Sequence, residues 1–185
     1  MPSPVAHSLV GAGGFVLLMP PAGLTSFSSI LWEKRRELLF FIVMTNLPDL
    51  DMAVGFLLYG DVHTFHGLFS HSLFMAVPIA LAASFIYPMG NRWRTFLASF
   101  SLIVLHDLMD FSASPNLTEP GSGVWLFFPF NKRIASPFPI FLGFKHQTFE
   151  QLISLRNLHV IGIELLEFGM LLFFLYMFKR RHAMG

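Results

Sequence analysis

Apolar residues follow one another in long runs along this chain, and charged residues interrupt them at only a few positions. A helix needs about 20 apolar residues to cross the hydrocarbon core of a bilayer. Three runs meet that length, at residues 69–87, 95–111 and 158–178. We predict that each run forms a transmembrane helix.

Two further apolar runs are irregular. Residues 38–59 are long enough to span, but NLPDLD at residues 46–51 places Pro48 and two aspartates inside the run. Because proline removes a backbone N–H and clashes with the preceding turn, we predict a broken helix there. Residues 5–19 are short and glycine-rich, which leaves a tilted span and a re-entrant helix as alternatives. The pattern predicts an all-α, polytopic membrane helix bundle of four to five spans.

Basic residues cluster at the edges of these runs, at residues 34–36, 92–94 and 179–181. The positive-inside rule places these clusters, and with them the C-terminus, in the cytoplasm. Residues 60–68 and the connection at about 112–157 then lie outside, and we expect the connection to form an ordered cap. That connection also carries cations, which argue against the assignment: Lys132, Arg133, Lys145 and Arg156.

Composition supports a membrane protein. The 185 residues are enough for one integral membrane domain, residues 1–185, and 54% are hydrophobic while only 12% are charged. A formal net charge of +1 excludes a broadly basic surface for nucleic acid. The chain has no cysteine, so any bound metal must use histidine and carboxylate ligands.

Several ionisable residues lie in or beside the apolar runs. Burying such a residue in a membrane costs free energy, so a functional role is the first hypothesis for each. On the predicted topology they gather toward the outer face, with two of them at the helix break: His7, Asp49, Asp51, His66, His71, His106 and Asp110. We predict that they form one site.

Spacing supports this site. His106 and Asp110 are four residues apart, so a helix presents both on one face, where they can share a metal ion. His66 and His71 are five apart, about 140° around a helix, so they converge only if His66 lies in the loop before the first turn.

Other ionisable residues have weaker claims. His146 and Glu150 are also four apart, but an ordinary exposed pair is an equal alternative, and Glu164 could serve packing as well as substrate contact. Asp107 points about 100° away from its helical neighbours. We expect His63 to be solvated. Neither Asp107 nor His63 is therefore expected to be a metal ligand.

Imidazole and carboxylate ligands without thiolate favour zinc, with manganese or iron as alternatives. More than four candidate ligands permit one or two divalent ions. Such ions lower the pKa of a bound water and stabilise the leaving oxygen of an ester, so hydrolysis is the expected chemistry.

Five short stretches carry a family resemblance: AHSLVG at 6–11, NLPDLD at 46–51, HGLFSHSL at 66–73, LHDLMD at 105–110 and GVWLFFPF at 123–130. Up to about residue 130, the chain resembles the YdjM-like family of inner-membrane, metal-dependent hydrolases. The resemblance implies a bacterial or archaeal inner membrane and the seven site residues above. The His-xxx-Asp element is also similar, more loosely, to zinc-dependent phospholipase C and single-strand nucleases, which favours phosphoesters.

The preferred hypothesis is a membrane-embedded metal-dependent hydrolase of a lipid or lipid-linked ester, with a phosphoester favoured. Catalytic roles are expected for three residues. Asp49 would act as a metal ligand, and His7 and His66 would act either as ligands or as acid and base. The alternatives are a metal-ion or proton transporter, or a regulatory membrane protein with a structural metal. The expected partners are membrane lipid and a small-molecule or lipid substrate.

Overall fold

Helices make up most of the described chain, in agreement with the predicted all-α class. The computed structural model describes residues 1–18, 32–62, 64–130, 132–146 and 148–184, and His63 lies outside these ranges. The α-helices are α1 Pro4–Leu18, α2 Arg35–Asn46, α3 Leu50–Tyr59, α4 Leu73–Ile86, α5 Arg92–Phe111, α6 Phe149–Leu152 and α7 Leu155–Met184. A short 3-10 helix, Phe69–His71, precedes α4, and the strands β1 Ala113–Ser114 and β2 Phe141–Leu142 pair in parallel.

The helices pack around α1 and α5. Helix α1 lies against α2 and α7, while α5 lies against α4 and α2. Apolar side chains from the end of α1, the second half of α2, the end of α4 and the middle of α5 form the core: Phe15, Val16, Phe41, Met44, Ala83, Ala98 and Leu102. In α1 and α5, the ionisable residues lie nearer the opposite end of the helix, at the start of α1 and the end of α5.

The predicted helix break is present. Helix α2 ends at Asn46, α3 begins at Leu50, and the two axes meet at 62°. Pro48 lies in the break and has no N–H to continue the hydrogen bonds of α2. The residues at and just after the break, Asp49 and Asp51, lie beside His71.

The helix lengths do not confirm four to five spans. Among the described residues, one helix is both long and apolar enough to cross a membrane, at Leu155–Arg181, and the bent pair α2–α3 would add a second. Helix α4 has 14 residues and extends for about 21 Å, less than a bilayer core of about 30 Å. It is shorter than the predicted run because residues 69–71 form the 3-10 turn instead.

The connection after α5 forms an ordered cap. Val124 and Ile134 pair in an antiparallel bridge, and the cap also contains β1, β2 and α6. Backbone hydrogen bonds tie it to the segment before α4, from Trp125 N–H to the Gly67 carbonyl at 3.2 Å and from Leu73 N–H to the Leu126 carbonyl at 2.9 Å. The cap therefore fixes the loop that carries His66 and His71.

Helix α1 approaches α2 closely at Gly11. A Cβ at this position would lie 2.8 Å from the Phe41 carbonyl oxygen and would also meet Thr45 Oγ1. We expect Gly11→Ala to force α1 away from α2 and to destabilise the protein by about 1–3 kcal/mol, as overpacked cores do. Thermal unfolding in detergent measures the effect.

Gly13→Ala is the matched control in the same helix. Its added Cβ would have Leu175 Cδ1 as its nearest described neighbour, at 3.8 Å, which is ordinary contact. Alanine is favoured over glycine inside a helix by about 0.5–1 kcal/mol, so this variant should be as stable as the parent or more so. Equal stability of the two variants would contradict the close packing of α1 on α2.

Candidate metal centre

Four ionisable side chains from separate parts of the chain meet at one end of the bundle. Asp49 comes from the helix break, His71 from the 3-10 turn, and His106 and Asp110 from α5; each offers one ligand atom, and these atoms all lie within 4.8 Å of one another. His71 Nε2 is 3.6 Å from Asp49 Oδ1 and 3.3 Å from Asp110 Oδ2. His106 Nε2 lies 3.6 Å from the same Asp49 oxygen and 3.5 Å from Asp110 Oδ2. We call these four residues the metal cluster.

Hydrogen bonds outside the cluster orient both of its imidazoles. His106 Nδ1 lies 2.7 Å from the Thr45 carbonyl oxygen, so Nδ1–H donates and the lone pair of Nε2 is left for the cluster. His71 Nδ1 lies 3.0 Å from Ser70 Oγ and 3.4 Å from Asp51 Oδ2, which again leaves Nε2 for the cluster. Metal-binding histidines typically donate their second N–H to a carbonyl or carboxylate in this way.

Asp51 lies behind His71 and is held by several donors. Its carboxylate accepts hydrogen bonds from the Ser70 hydroxyl and from the Gly67 N–H, the latter at 3.3 Å, and His66 Nδ1 is 3.1 Å away. Asp51, His66 and His71 also form a second group that could hold an ion. Because both oxygens of Asp51 are already engaged, the contacts favour an orienting role for it over direct coordination.

Unlike Asp51, the two carboxylates of the metal cluster lack hydrogen-bond donors for most of their oxygens. Asp49 occupies the N-cap position of α3 but makes no capping hydrogen bond. Both of its oxygens, and Asp110 Oδ1, are buried without a hydrogen-bond partner among the described residues. A charged carboxylate is costly to bury unless a cation or a hydrogen-bond donor compensates its charge. These oxygens and the two imidazole nitrogens therefore fit a divalent cation.

His7 adds a further imidazole beside the cluster. It is fully buried, its ring stacks on His106 with centroids 3.9 Å apart, and Nε2 lies 3.4 Å from Asp110 Oδ1. It reaches this position because α1 packs along α2 and leaves its first turn at the same end of the bundle. The contact with Asp110 allows His7 to act either as a ligand or as a partner of that carboxylate.

The weaker sequence candidates lie away from the metal cluster. Glu164 accepts a hydrogen bond from Ser3 N–H at 2.8 Å and so holds the start of α1 against α7. His146 is in edge-to-face contact with His66, with ring centroids 5.4 Å apart, while Glu150 is exposed. Because α6 begins after His146, the i,i+4 helical pairing predicted for His146 and Glu150 does not form.

Two supporting residues were missed by the sequence analysis. Thr45 contributes a backbone carbonyl and Ser70 a hydroxyl, and both act through hydrogen bonds to the imidazoles rather than as ligands. Ser70 stands directly before His71 in the stretch HGLFSHSL, but nothing in the spacing indicates its role. Asp107 is fully buried, and both of its oxygens lack a hydrogen-bond partner among the described residues, but it belongs to neither ligand group found there.

A comparison with protein families identifies a match over residues 1–183, almost the entire chain, to the family described as YdjM inner membrane protein. The chain belongs to the YdjM family. The match covers the cap and α7 as well as the five stretches quoted above. An inner membrane family agrees with α7, which is long and apolar enough to span a membrane. Searches of curated proteins and of solved structures found no significant match.

Removing a cluster residue should remove the ion from this YdjM protein. We expect Asp49→Ala and His106→Ala to abolish tight binding, because each takes away one of the four convergent ligand atoms. Asp51→Asn should keep the ion but weaken its affinity by about 10–100-fold, as loss of an orienting carboxylate does. Elemental analysis and zinc titration of the purified variants measure stoichiometry and affinity.

Asp107→Asn provides the control, since Asp107 is buried on the same helix but lies outside both ligand groups of the described residues. Its zinc content should equal that of the parent protein. If Asp51→Asn instead removes one of two bound ions, Asp51 is a ligand of a second site and the orienting role is wrong.

Proposed function

We propose that this YdjM protein is a membrane-embedded, metal-dependent hydrolase that acts on a lipid or lipid-linked ester, with a phosphoester as the preferred substrate. The observation that carries the proposal is the convergence of Asp49, His71, His106 and Asp110, whose ligand atoms lie within 4.8 Å of one another. Such a mixed set of nitrogen and oxygen ligands suits zinc, and also manganese or iron.

The four cluster residues hold the ion, and His7 lies close enough to Asp110 to complete the set. A bound divalent cation supplies Lewis acidity, which polarises an ester and lowers the pKa of water. Asp51, His66 and His71 provide room for a second ion. One ion is preferred, because His71 is common to both groups and its Nδ1 is engaged by Ser70.

His66 is the preferred general base. Its Nδ1 is 3.1 Å from Asp51 Oδ1, so Nδ1–H donates to that carboxylate and the lone pair lies on Nε2. Nε2 accepts a proton from the attacking water, and Asp51 stabilises the imidazolium that forms. The same nitrogen then returns the proton to the leaving alcohol. His66 is mostly buried, but 12% of its side chain remains exposed, and a group that contacts substrate must be accessible.

A lipid substrate is supported by the surface around the cap. Phe130 and Phe138 are each 80% exposed and Ile140 is 68% exposed, so the cap presents apolar side chains outward. Phe130 also contacts Phe74 at the start of α4, with ring centroids 5.6 Å apart. An exposed apolar surface of this kind is typical of a site that contacts a membrane, where acyl chains are within reach.

For topology, we propose one integral membrane domain of four to five spans, with α1, the bent pair α2–α3, α4, α5 and α7 as the candidates. The C-terminus is cytoplasmic, and the metal cluster opens toward the outer face of a bacterial or archaeal inner membrane. Basic residues at the start of α5 and the end of α7 support this orientation by the positive-inside rule.

The packing below the metal cluster favours hydrolysis over ion transport. A transporter needs coordinating groups along a path that opens to both sides. Here apolar side chains fill the adjoining part of the bundle, among them Phe15, Phe41 and Leu102. A buried centre that opens on one side is what a hydrolase requires.

The test uses the purified, zinc-loaded protein in mixed micelles with phospholipids. We expect release of the phospholipid headgroup or of phosphate. His66→Gln should lower this rate by about 100–10,000-fold, as loss of a general base does, while bound zinc is retained. Product analysis by mass spectrometry and parallel metal analysis separate the two effects.

His159→Gln serves as the control, because His159 is exposed on α7 and lies outside both ligand groups of the described chain. Its rate should match the parent. Zinc binding without turnover of any phospholipid, together with a loss of stability on chelation, would instead identify a structural metal.

A further inference from the structure

A cavity of about 320 Å³ lies between the metal cluster and the cap. Its lining includes Asp110 of the cluster and His66, together with Arg133 and His146 from the cap. A group bound in this cavity would therefore be within reach of the proposed general base, a cluster carboxylate and a guanidinium.

The fold places Arg133 beside the loop that carries His66. One guanidinium N–H donates to the His66 carbonyl oxygen, with Nη2 3.2 Å from the oxygen. An arginine has five N–H donors, and this is the one hydrogen bond that Arg133 makes within the described residues. The remaining donors are available to a ligand in the cavity.

The loop also leaves space for the guanidinium. Gly67 adopts a left-handed conformation, with φ of 75°, and a Cβ there would lie 3.1 Å from Arg133 Nη2. Glycine adopts this conformation without steric cost, whereas a larger residue would be strained and would crowd the arginine. Gly67 thus permits both the turn before His71 and the approach of Arg133.

Charge in the cavity favours an anion. On the proposed function, the cation of the metal cluster offsets the charge of Asp110, and Arg133 then contributes a positive charge to the lining of the cavity. A guanidinium binds phosphate through two parallel N–H···O bonds, a geometry that lysine cannot reproduce. A neutral carboxylic ester offers no such anion.

We propose that Arg133 is the anion-binding residue of this site and that it selects phosphate-bearing substrates. The proposal rests on the hydrolase function proposed above and narrows it to substrates with a phosphate group beside the scissile bond. Arg133 binds two phosphate oxygens while His66 acts on water, so the cap sets specificity and the bundle supplies the ligands.

Calorimetric binding of inorganic phosphate to the purified protein, with metal content measured separately, tests the proposal. We expect Arg133→Gln to weaken phosphate binding at least tenfold while zinc content stays unchanged. Arg133→Lys should give an intermediate affinity, because it keeps the charge but loses the paired donors. Equal affinity of Arg133→Gln and the parent protein would overturn the proposal.

Lys132→Gln is the matched control. Lys132 is the preceding cation in the chain, is exposed, and is not among the described residues that line the cavity. Its phosphate affinity should equal that of the parent. An equal loss in both variants would mean that general surface charge, and not a site at Arg133, attracts the anion.

One further comparison distinguishes a lipid headgroup from a soluble phosphate, and another distinguishes failure of the anion site from failure of the proposed metal centre. A short-chain phosphatidic acid that binds more tightly than inorganic phosphate assigns the site to a lipid headgroup, and equal binding assigns it to a soluble phosphate. Phosphate binding that depends on Arg133 in a protein that takes up no zinc would keep the anion site and refute the metal centre. Zinc uptake together with phosphate binding that is unchanged in Arg133→Gln would do the reverse.

Discussion

The burial of Asp49 and Asp110 in one cluster is the constraint on which the rest of this structure depends. Their side chains are only 12% and 2% exposed, and three of their four oxygens have no hydrogen-bond partner among the described residues. Removing a carboxylate from water is costly, and placing two together adds repulsion. The surrounding imidazoles compensate part of this cost, and a divalent cation held between the four residues would compensate more of it.

The helix break serves this cluster in two ways. Ending α2 at Asn46 leaves the carbonyls of its last turn without helical partners, and the Thr45 carbonyl accepts the His106 N–H instead. At the start of α3, Asp49 has a helical backbone conformation and its carboxylate makes no capping hydrogen bond. The carboxylate is thereby left to face His71 and His106.

The helix bundle and the cap position different residues of the site. The bundle places His7, His106 and Asp110 through the packing of α1 and α5, whereas the cap fixes the loop before α4 through Trp125 and Leu126. The same cap brings Arg133 to the His66 carbonyl. The bundle thus supplies His106 and Asp110 of the metal cluster, while the cap holds the segment that carries His71, so the geometry of the cluster depends on both parts of the fold.

The sequence alone determined the helical class, the break at Pro48 and the residue types at the site, because these follow from local apolar runs and from the spacing of ionisable residues. His106 and Asp110 share a helical face at any packing of that helix. The helix lengths were harder to predict, since the 3-10 turn at Phe69–His71 replaces what the apolar run suggested. Only the tertiary structure showed that Asp51 lies behind His71, that Thr45 and Ser70 orient the imidazoles, and that Arg133 lies beside Gly67. These contacts join residues of different segments, and their geometry depends on how the helices and the cap pack, which no local pattern encodes.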